Sequence, residues 1–265
     1  MDFRHARVWV TGASSGIGAA LIAPLAARGA RVAISARRAE SLEALAASWR
    51  ARGADVVAVP VDVTTRGSIA AAVAAIESVF GGIDVAILNA GNHLPGSGPR
   101  FDAQQFADNM TLNFLGMVWC IDAVLPAMLQ RGSGYIAGVA SVAGYRGVPA
   151  AGAYGASKAA AIHMLEAIRF DLAPRGVRVS VVNPGFVKTP LTDRNHFPMP
   201  FLMPVDRAAE AVVRGMEQER TEIHFPKRFT WLMKTLRVLP APLYRWIIWR
   251  GTRGRRLAKD ATLQD

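Results

Sequence analysis

Three side chains between residues 141 and 158 have the types and spacing needed to exchange a proton with a carbonyl or alcohol oxygen. Tyr154 and Lys158 lie four residues apart in a segment that predicts a helix, so they share one helix face. A free phenol has a pKa of about 10, and an ammonium group one turn away favours the phenolate and lowers that pKa. Ser141 ends a predicted buried strand, and its hydroxyl can hold a substrate oxygen beside the phenol. A core tyrosine with a solvated lysine has the same spacing, so the spacing indicates a catalytic pair only if the surrounding elements support one.

The segment near the N-terminus is typical of a dinucleotide site. Arg7–Thr11 predicts a short apolar strand, followed at once by the turn Thr11-Gly-Ala-Ser-Ser-Gly-Ile-Gly18 and a helical run to Arg28. Glycines let the backbone turn sharply and approach a pyrophosphate, and the free N–H groups of the helix start attract the anion. A glycine-rich turn alone is also compatible with a plain turn, but its place between a strand and a helix favours the dinucleotide.

The end of the second predicted strand favours binding of a phosphate. Arg31–Ala36 is followed by Arg37 and Arg38. Cofactors that lack a 2′-phosphate are usually held at this point by an acidic side chain, and Ala36 supplies none. Two guanidinium groups suit a phosphate, so the sequence predicts that NADP(H) is preferred over NAD(H). The alternative is that both arginines only solvate the start of the next helix.

Polar and small residues follow the next two strands. Asp62 and Val63 follow the strand Asp55–Val61. The Asp62 carboxylate either accepts a hydrogen bond from an adenine amino group or caps the next helix. Asn89-Ala90-Gly91 follows the strand Ile83–Leu88 and is small enough for a cofactor to pass over. Asn113 lies in an apolar helical region, where an amide is either a satisfied core residue or bends the backbone to bind water.

The alternation of strands and helices predicts an α/β fold. Helices are expected at 66–80, 111–131 and 153–174, between strands of regular spacing. This pattern is typical of a single doubly wound parallel sheet with helices on both faces and no second domain. The six predicted strands are Arg7–Thr11, Arg31–Ala36, Asp55–Val61, Ile83–Leu88, Gly134–Ala140 and Val177–Asn183.

Composition excludes several classes of protein. The 265 residues are enough for one large domain with a full core. The single cysteine, Cys120, excludes an internal disulfide framework and, within an apolar run, is predicted to be a buried thiol. The five histidines show no metal-ligand spacing, so no metal is expected. No stretch of about 18 uncharged apolar residues is present, so no membrane span is predicted.

Taken in order, these motifs resemble the short-chain dehydrogenase/reductase superfamily of the Tyr-x-x-x-Lys type, over about residues 5–225. The resemblance implies a Rossmann fold with Tyr154 as the general acid/base, Ser141 positioning the substrate oxygen, and Lys158 tuning the tyrosine while binding the nicotinamide ribose. It implies that Asn113 holds a water that links Lys158 to solvent. The implied cofactor-binding residues are Gly12, Ser14, Ser15, Ile17, Gly18, Arg37, Arg38, Asp62, Val63, Asn89, Ala90, Gly91, Tyr154, Lys158, Pro184, Gly185, Val187 and Thr189.

The expected activity is that of an NADPH-dependent carbonyl reductase or alcohol dehydrogenase. The apolar segment Phe197–Pro204 indicates a hydrophobic, lipid-like ketone or aldehyde as substrate, unless it packs on its own core. The alternative function is a non-catalytic NADP(H)-binding regulatory protein, although the intact catalytic set argues against it. The resemblance also implies a homodimer or homotetramer built on helices 111–131 and 153–174. The expected location is the cytoplasm.

The residues after the predicted catalytic domain, 1–225, form a basic and aromatic extension, 226–265. Residues 223–265 contain ten basic and two acidic side chains, whereas residues 1–222 contain 21 and 18. Three of the six tryptophans, Trp231, Trp246 and Trp249, lie in it at helical spacing with leucines and isoleucines. Such helices either lie on an anionic membrane, from which substrate would enter, or cover the pocket or a subunit interface. The usual nucleic-acid modules are missing, so nucleic acid is not expected as a partner.

Overall fold

The computed structural model describes residues 1–93, 101–194 and 198–252. In this part of the chain, seven parallel strands form one sheet in the order β3-β2-β1-β4-β5-β6-β7. The strands are short apolar runs, mostly buried on both faces, as a parallel sheet covered on both sides requires. They are β1 (Arg7–Thr11), β2 (Arg31–Ser35), β3 (Val56–Ala58), β4 (Val85–Leu88), β5 (Gly134–Val139), β6 (Val177–Pro184) and β7 (Glu222–Phe225).

Helices cover both faces of this sheet, so the predicted doubly wound fold is confirmed. One buried cluster joins α4, α6, α7 and α9 to one face, and a second joins α1, α2, α3 and α8 to the other. Successive strand residues alternate between the two clusters, as Val8, Trp9 and Val10 show. The helices are α1 (Gly16–Ala20), α2 (Ile22–Ala26), α3 (Ala39–Arg50), α4 (Arg66–Phe80), α5 (Ala103–Met110), α6 (Gly116–Arg131), α7 (Gly152–Leu172), α8 (Val205–Glu217), α9 (Lys227–Val238) and α10 (Ala241–Thr252).

The prediction of six strands is wrong by one, because β7 pairs with β6 at the edge of the sheet. The strand carries Glu222 and His224, two polar residues near the end of the predicted catalytic domain. Glu222 accepts from Tyr145, 77 residues earlier, so this pairing could not be seen locally, whereas His224 is buried against Thr230, six residues later. The alternation of Ile223 and Phe225 with these polar residues could have indicated a strand.

The helix around Asn113 begins earlier than residue 111 and changes its winding. α5 runs into a π-helical segment, Thr111–Leu115, which continues directly into α6. Of the described residues, the continuous helix Ala103–Arg131 alone is long and apolar enough to cross a membrane by length and composition. In the fold it packs on α4 and α7 and buries Asn109 and Asn113, as the core helix of a globular domain does.

Candidate active site

The glycine-rich turn is shaped by contacts with the end of β4. Gly12 and Gly16 have φ of +67° and +58°, which favour glycine. A Cβ added at Gly18 would lie 2.4 Å from the Gly12 carbonyl oxygen, so this position also requires glycine. The Asn89 amide donates from Nδ2 to the carbonyls of Thr11 and Gly12, at 3.1 Å each. The turn is thus a bare-backbone cradle, which fits a pyrophosphate.

The other predicted residues of this region lie around the same turn. Ser15 caps α1 by position and is exposed, while Ser14 and Ile17 are partly buried beside it. The Thr11 hydroxyl accepts from the backbone N–H groups of Asn89 and Ala90 at 3.0 and 3.1 Å. These bonds hold the ends of β1 and β4 side by side, at the carboxyl edge of the sheet where doubly wound folds bind ligands.

The residues predicted to recognise the adenosine end lie at the ends of β2 and β3. Arg37 and Arg38 are exposed, and Ala36 is buried. The Thr64 hydroxyl and backbone N–H bond Asp62 Oδ1 at 2.7 and 2.9 Å and lower the pKa of Asp62, with a smaller contribution from Arg37. Both alternatives for Asp62 stay open, although one of its oxygens is engaged by the loop itself.

Ser141, Tyr154 and Lys158 come together at the ends of β5 and α7. The Ser141 hydroxyl lies near enough to the Tyr154 phenol to affect its pKa, and Lys158 Nζ lies 5.8 Å from the centroid of the Tyr154 ring. Lys158 is 3% exposed and donates from Nζ to the Val139 carbonyl at 2.8 Å. The predicted arrangement of phenol, hydroxyl and ammonium on one side of the sheet edge is therefore present.

The expected direction of the Tyr154 pKa is wrong in this structure. Burial raises the pKa of the Tyr154 phenol, and the nearby Ser141 hydroxyl only partly offsets this effect. Burial also lowers the pKa of Lys158 to about 8, since a buried ammonium loses its hydration. Spacing alone placed the two groups on one face, but it carried no information on how deeply both would be buried.

Asn113 links α5, α7 and the segment after β4. It lies in the π-helical segment, and its Nδ2 donates to the Asn92 carbonyl at 3.0 Å and to Ser157 Oγ at 3.1 Å. Its Oδ1 accepts from the Asn92 N–H at 2.8 Å. A Cβ added at Gly91 would lie 2.9 Å from Asn113 Oδ1 and 3.3 Å from Lys158 Nζ. Gly91 therefore packs closely against both groups, and a larger residue there would push the amide or the ammonium aside.

The segment after β6 faces the glycine-rich turn. A Cβ added at Gly16 would lie 3.4 Å from the Thr189 methyl carbon, so the two segments lie side by side. The backbone of Val187 pairs with Met203, and Thr189 N–H donates to Thr192 Oγ1 at 2.9 Å. Pro184 ends β6, and Gly185 N–H donates to the Phe225 carbonyl at 2.7 Å. Of the predicted lid, Phe197 lies outside the described residues.

Sequence reasoning missed two features beside this cluster. The ring of His93 packs edge-on against Tyr154, with 4.9 Å between the centroids. Tyr145, close after Ser141, donates to Glu222 Oε1 at 2.5 Å, and Lys234 of α9 binds the other oxygen of that carboxylate. No local pattern indicated the contacts of the two tyrosines, because His93 and Tyr154 lie 61 residues apart and Tyr145 and Glu222 lie 77 apart.

Comparison with known proteins agrees with the fold. Residues 6–197 match the short chain dehydrogenase family. The chain is 38% identical over 244 residues to an uncharacterized oxidoreductase of Myxococcus xanthus, covering 92% of this chain and 96% of the relative. It is 40% identical over 187 residues to 2-(R)-hydroxypropyl-CoM dehydrogenase of Xanthobacter autotrophicus, covering 69% and 75%. It is 33% identical over 220 residues to ketoacyl reductase HetN of a Nostoc species, covering 82% and 77%.

Two solved structures share the architecture. A short-chain dehydrogenase/reductase from Burkholderia phymatum in complex with NAD superposes with a TM-score of 0.82 at 24% identity, covering 88% of this chain and 93% of that one. A variant of actinorhodin polyketide ketoreductase with NADPH superposes with a TM-score of 0.75 at 29% identity, covering 83% and 94%.

The fold and site together define an oxidoreductase built on a dinucleotide-binding α/β sheet. The chain belongs to the short-chain dehydrogenase/reductase family, and its reaction class is that of an NAD(P)-dependent dehydrogenase or reductase.

Proposed function

We propose that this protein is an NADPH-dependent reductase of hydrophobic ketones or aldehydes, and that it also oxidises the corresponding alcohols. The observation that carries this proposal is that Ser141 and the buried Lys158, one helical turn beyond the phenol, both lie beside Tyr154. The glycine-rich turn, whose bare backbone fits a dinucleotide, lies at the carboxyl end of β1 in the same sheet.

The mechanism follows from the protonation states of these side chains. A bound nicotinamide supplies the hydride that converts carbonyl to alcohol. Tyr154 is protonated at neutral pH because burial raises its pKa, so it can donate a proton to the substrate oxygen. Ser141 donates a hydrogen bond to the same oxygen and stabilises its developing negative charge. Lys158 then favours the resulting phenolate.

Support for NADPH comes from the end of β2. Arg37 and Arg38 are exposed there, and the buried Ala36 occupies the place where a carboxylate would repel a phosphate. A ketoreductase of the same fold has been solved with NADPH, but a second family structure binds NAD. The preference is therefore inferred from these three residues of this chain.

Support for a hydrophobic substrate comes from the segment between β6 and α8. Phe201 and Leu202 are exposed near its end, and Met203 pairs through its backbone with Val187. Phe186, on the same segment, packs on Phe229 of α9 with 5.1 Å between the ring centroids. Apolar side chains of this kind suit the apolar part of a carbonyl compound.

The proposal is tested by following NADPH oxidation with ketones, aldehydes and acyl-chain carbonyl compounds of increasing length. We expect turnover that improves with chain length and is faster with NADPH than with NADH. Tight NADPH binding without turnover of any compound, and without alcohol oxidation, would favour a regulatory NADP(H)-binding protein instead.

A further inference from the structure

Two faces of α9 are apolar, and only one of them is buried. Phe229 and Met233 pack into the core with Thr230, and a Cβ added at Gly185 would lie 2.7 Å from the Phe229 ring. On the other side of the helix Trp231 and Leu232 are 59% and 50% exposed. The first face fixes α9 to the segment after β6. The second face is largely exposed, although the Trp231 ring contacts His224 of β7, with 5.6 Å between the centroids.

The same arrangement continues in α10. Tyr244 is buried and donates from its hydroxyl to the Gly147 carbonyl at 2.7 Å, whereas Trp246 and Trp249 are 55% and 62% exposed. We call the exposed apolar side chains of both helices the tail surface. It consists of Trp231, Leu232, Val238, Leu243, Trp246 and Trp249.

The charges on these helices are of one sign. Residues 223–252 contain no acidic side chain, and four exposed arginines lie on α9 and α10. The guanidinium of Arg250 lies 4.9 Å from the Trp246 ring centroid, so cation and aromatic ring are presented together. Neither α9 nor α10 is long enough to span a bilayer. Tryptophans next to arginines on such helices are typical of helices that lie among lipid headgroups. The four arginines are Arg228, Arg237, Arg245 and Arg250.

We propose that the tail surface docks onto an anionic lipid bilayer, with its tryptophans in the headgroup region and its arginines on the lipid phosphates. Charge selects this occupant over a second copy of the chain. A two-fold contact brings the same patch of both subunits together, and here arginines would meet arginines without a carboxylate from these helices between them. Anionic lipid supplies the missing negative charge. The proposal concerns only this surface and holds whichever substrate the active site takes.

The test is flotation of the full chain with phosphatidylcholine vesicles, with and without phosphatidylserine, at low and high salt. We expect binding that requires phosphatidylserine and weakens with salt. Arg245→Gln with Arg250→Gln should lower the affinity by about fivefold for each residue. Trp231→Ser with Trp246→Ser should also lower it, because both rings leave the headgroup region. Point variants are used because deletion of α9 would expose the core around Phe229.

Matched controls separate this surface from general charge and hydrophobicity. Arg175→Gln with Arg207→Gln removes two exposed arginines elsewhere, and Val79→Ser removes an exposed apolar side chain. These variants should bind vesicles like the unmodified chain, and all variants should keep its thermal unfolding midpoint. Absence of binding at low salt, or binding that tail-surface and control variants share equally, would overturn the proposal. Self-association lost with Trp231→Ser and Trp246→Ser, without vesicle binding, would make the surface a subunit interface instead.

Discussion

At the scale of single residues, the fold buries Tyr154 and Lys158 and so disfavours the charged form of each, the phenolate and the ammonium. Burial raises the pKa of Tyr154 and lowers that of Lys158 to about 8. Neither shift could be predicted from the four-residue spacing, which indicates only that the side chains share a face. The identities of Ser141, Tyr154, Lys158 and Asn113 could be predicted, because their order along the chain is that of a known family.

The buried Lys158 predicts a dependence of stability on pH. Its pKa is 10.5 when unfolded and about 8 when folded, so the unfolded chain binds more protons between these values. Stability due to this residue therefore rises as the pH increases from about 8 to 10.5, by about 3 kcal/mol in all. In denaturant titrations at neutral and alkaline pH, the unmodified protein should gain stability relative to Lys158→Met. A difference between the two proteins that stays constant over this range would contradict the assigned burial.

The arginines at the end of β2 predict the cofactor preference. Ala36→Asp with Arg37→Gln should weaken NADPH binding and improve NADH binding, because the carboxylate repels a 2′-phosphate and accepts from a free 2′-hydroxyl. Fluorescence titration with both cofactors measures the change. Arg52→Gln, at the far end of α3, is the control and should leave the ratio unaltered. Equal affinities of the unmodified protein for NADPH and NADH would show that Arg37 and Arg38 only solvate the helix.

At the scale of elements, α9 and α10 are bound to the loop after Ser141 through the side chain of Arg146. The Arg146 guanidinium donates from Nη1 to the carbonyls of Leu236, Arg237 and Leu239 at 3.1, 3.1 and 2.7 Å. Its carbon lies 3.9 Å from the Tyr244 ring centroid. One side chain thus satisfies the end of α9 and holds the start of α10.

We expect Arg146→Ala to loosen these helices before the rest of the fold. Loss of hydrogen bonds to a charged group costs about 1.5–3 kcal/mol. Hydrogen exchange should therefore accelerate in α9 and α10, while the amides of β1 and β4 keep their protection. Arg146→Lys should keep only part of the protection that Arg146→Ala loses in α9 and α10, because lysine lacks the planar guanidinium group. Uniform acceleration over the whole chain, or none, would contradict a local fastening role.

The elements that could be predicted are those whose partners lie close in the sequence. β1 and α4 were predicted with the bounds that they have, from apolar patterning alone. β7 was missed because Glu222 binds Tyr145 and Asn183, which lie 77 and 39 residues before it in the sequence. The π-helical segment at Asn113 was missed because its side-chain partners Asn92 and Ser157 lie in other elements.

At the scale of the whole molecule, we propose a homodimer or homotetramer that uses α6 and α7. Phe170 on α7 is 72% exposed, and an exposed phenylalanine on a long helix suits a subunit contact. Phe170→Glu should lower the mass measured by sedimentation equilibrium, because a buried carboxylate opposes association. Trp231→Ser, on the tail surface, should not change that mass. If the unmodified chain is monomeric, the proposed oligomer is wrong, but the assignment of the active-site residues is unaffected.

The central claim is that Tyr154 donates the proton in carbonyl reduction. The most direct measurement compares NADPH oxidation by the unmodified protein, Tyr154→Phe and Tyr135→Phe, on the best carbonyl substrate. Tyr135 also loses one hydroxyl, but it is buried on β5 and bonded to Ser180 at 2.6 Å. Tyr154→Phe should lose roughly 10²–10⁴ in kcat and keep its affinity for NADPH, whereas Tyr135→Phe should keep its turnover. Turnover by Tyr154→Phe close to that of the unmodified protein would contradict the account.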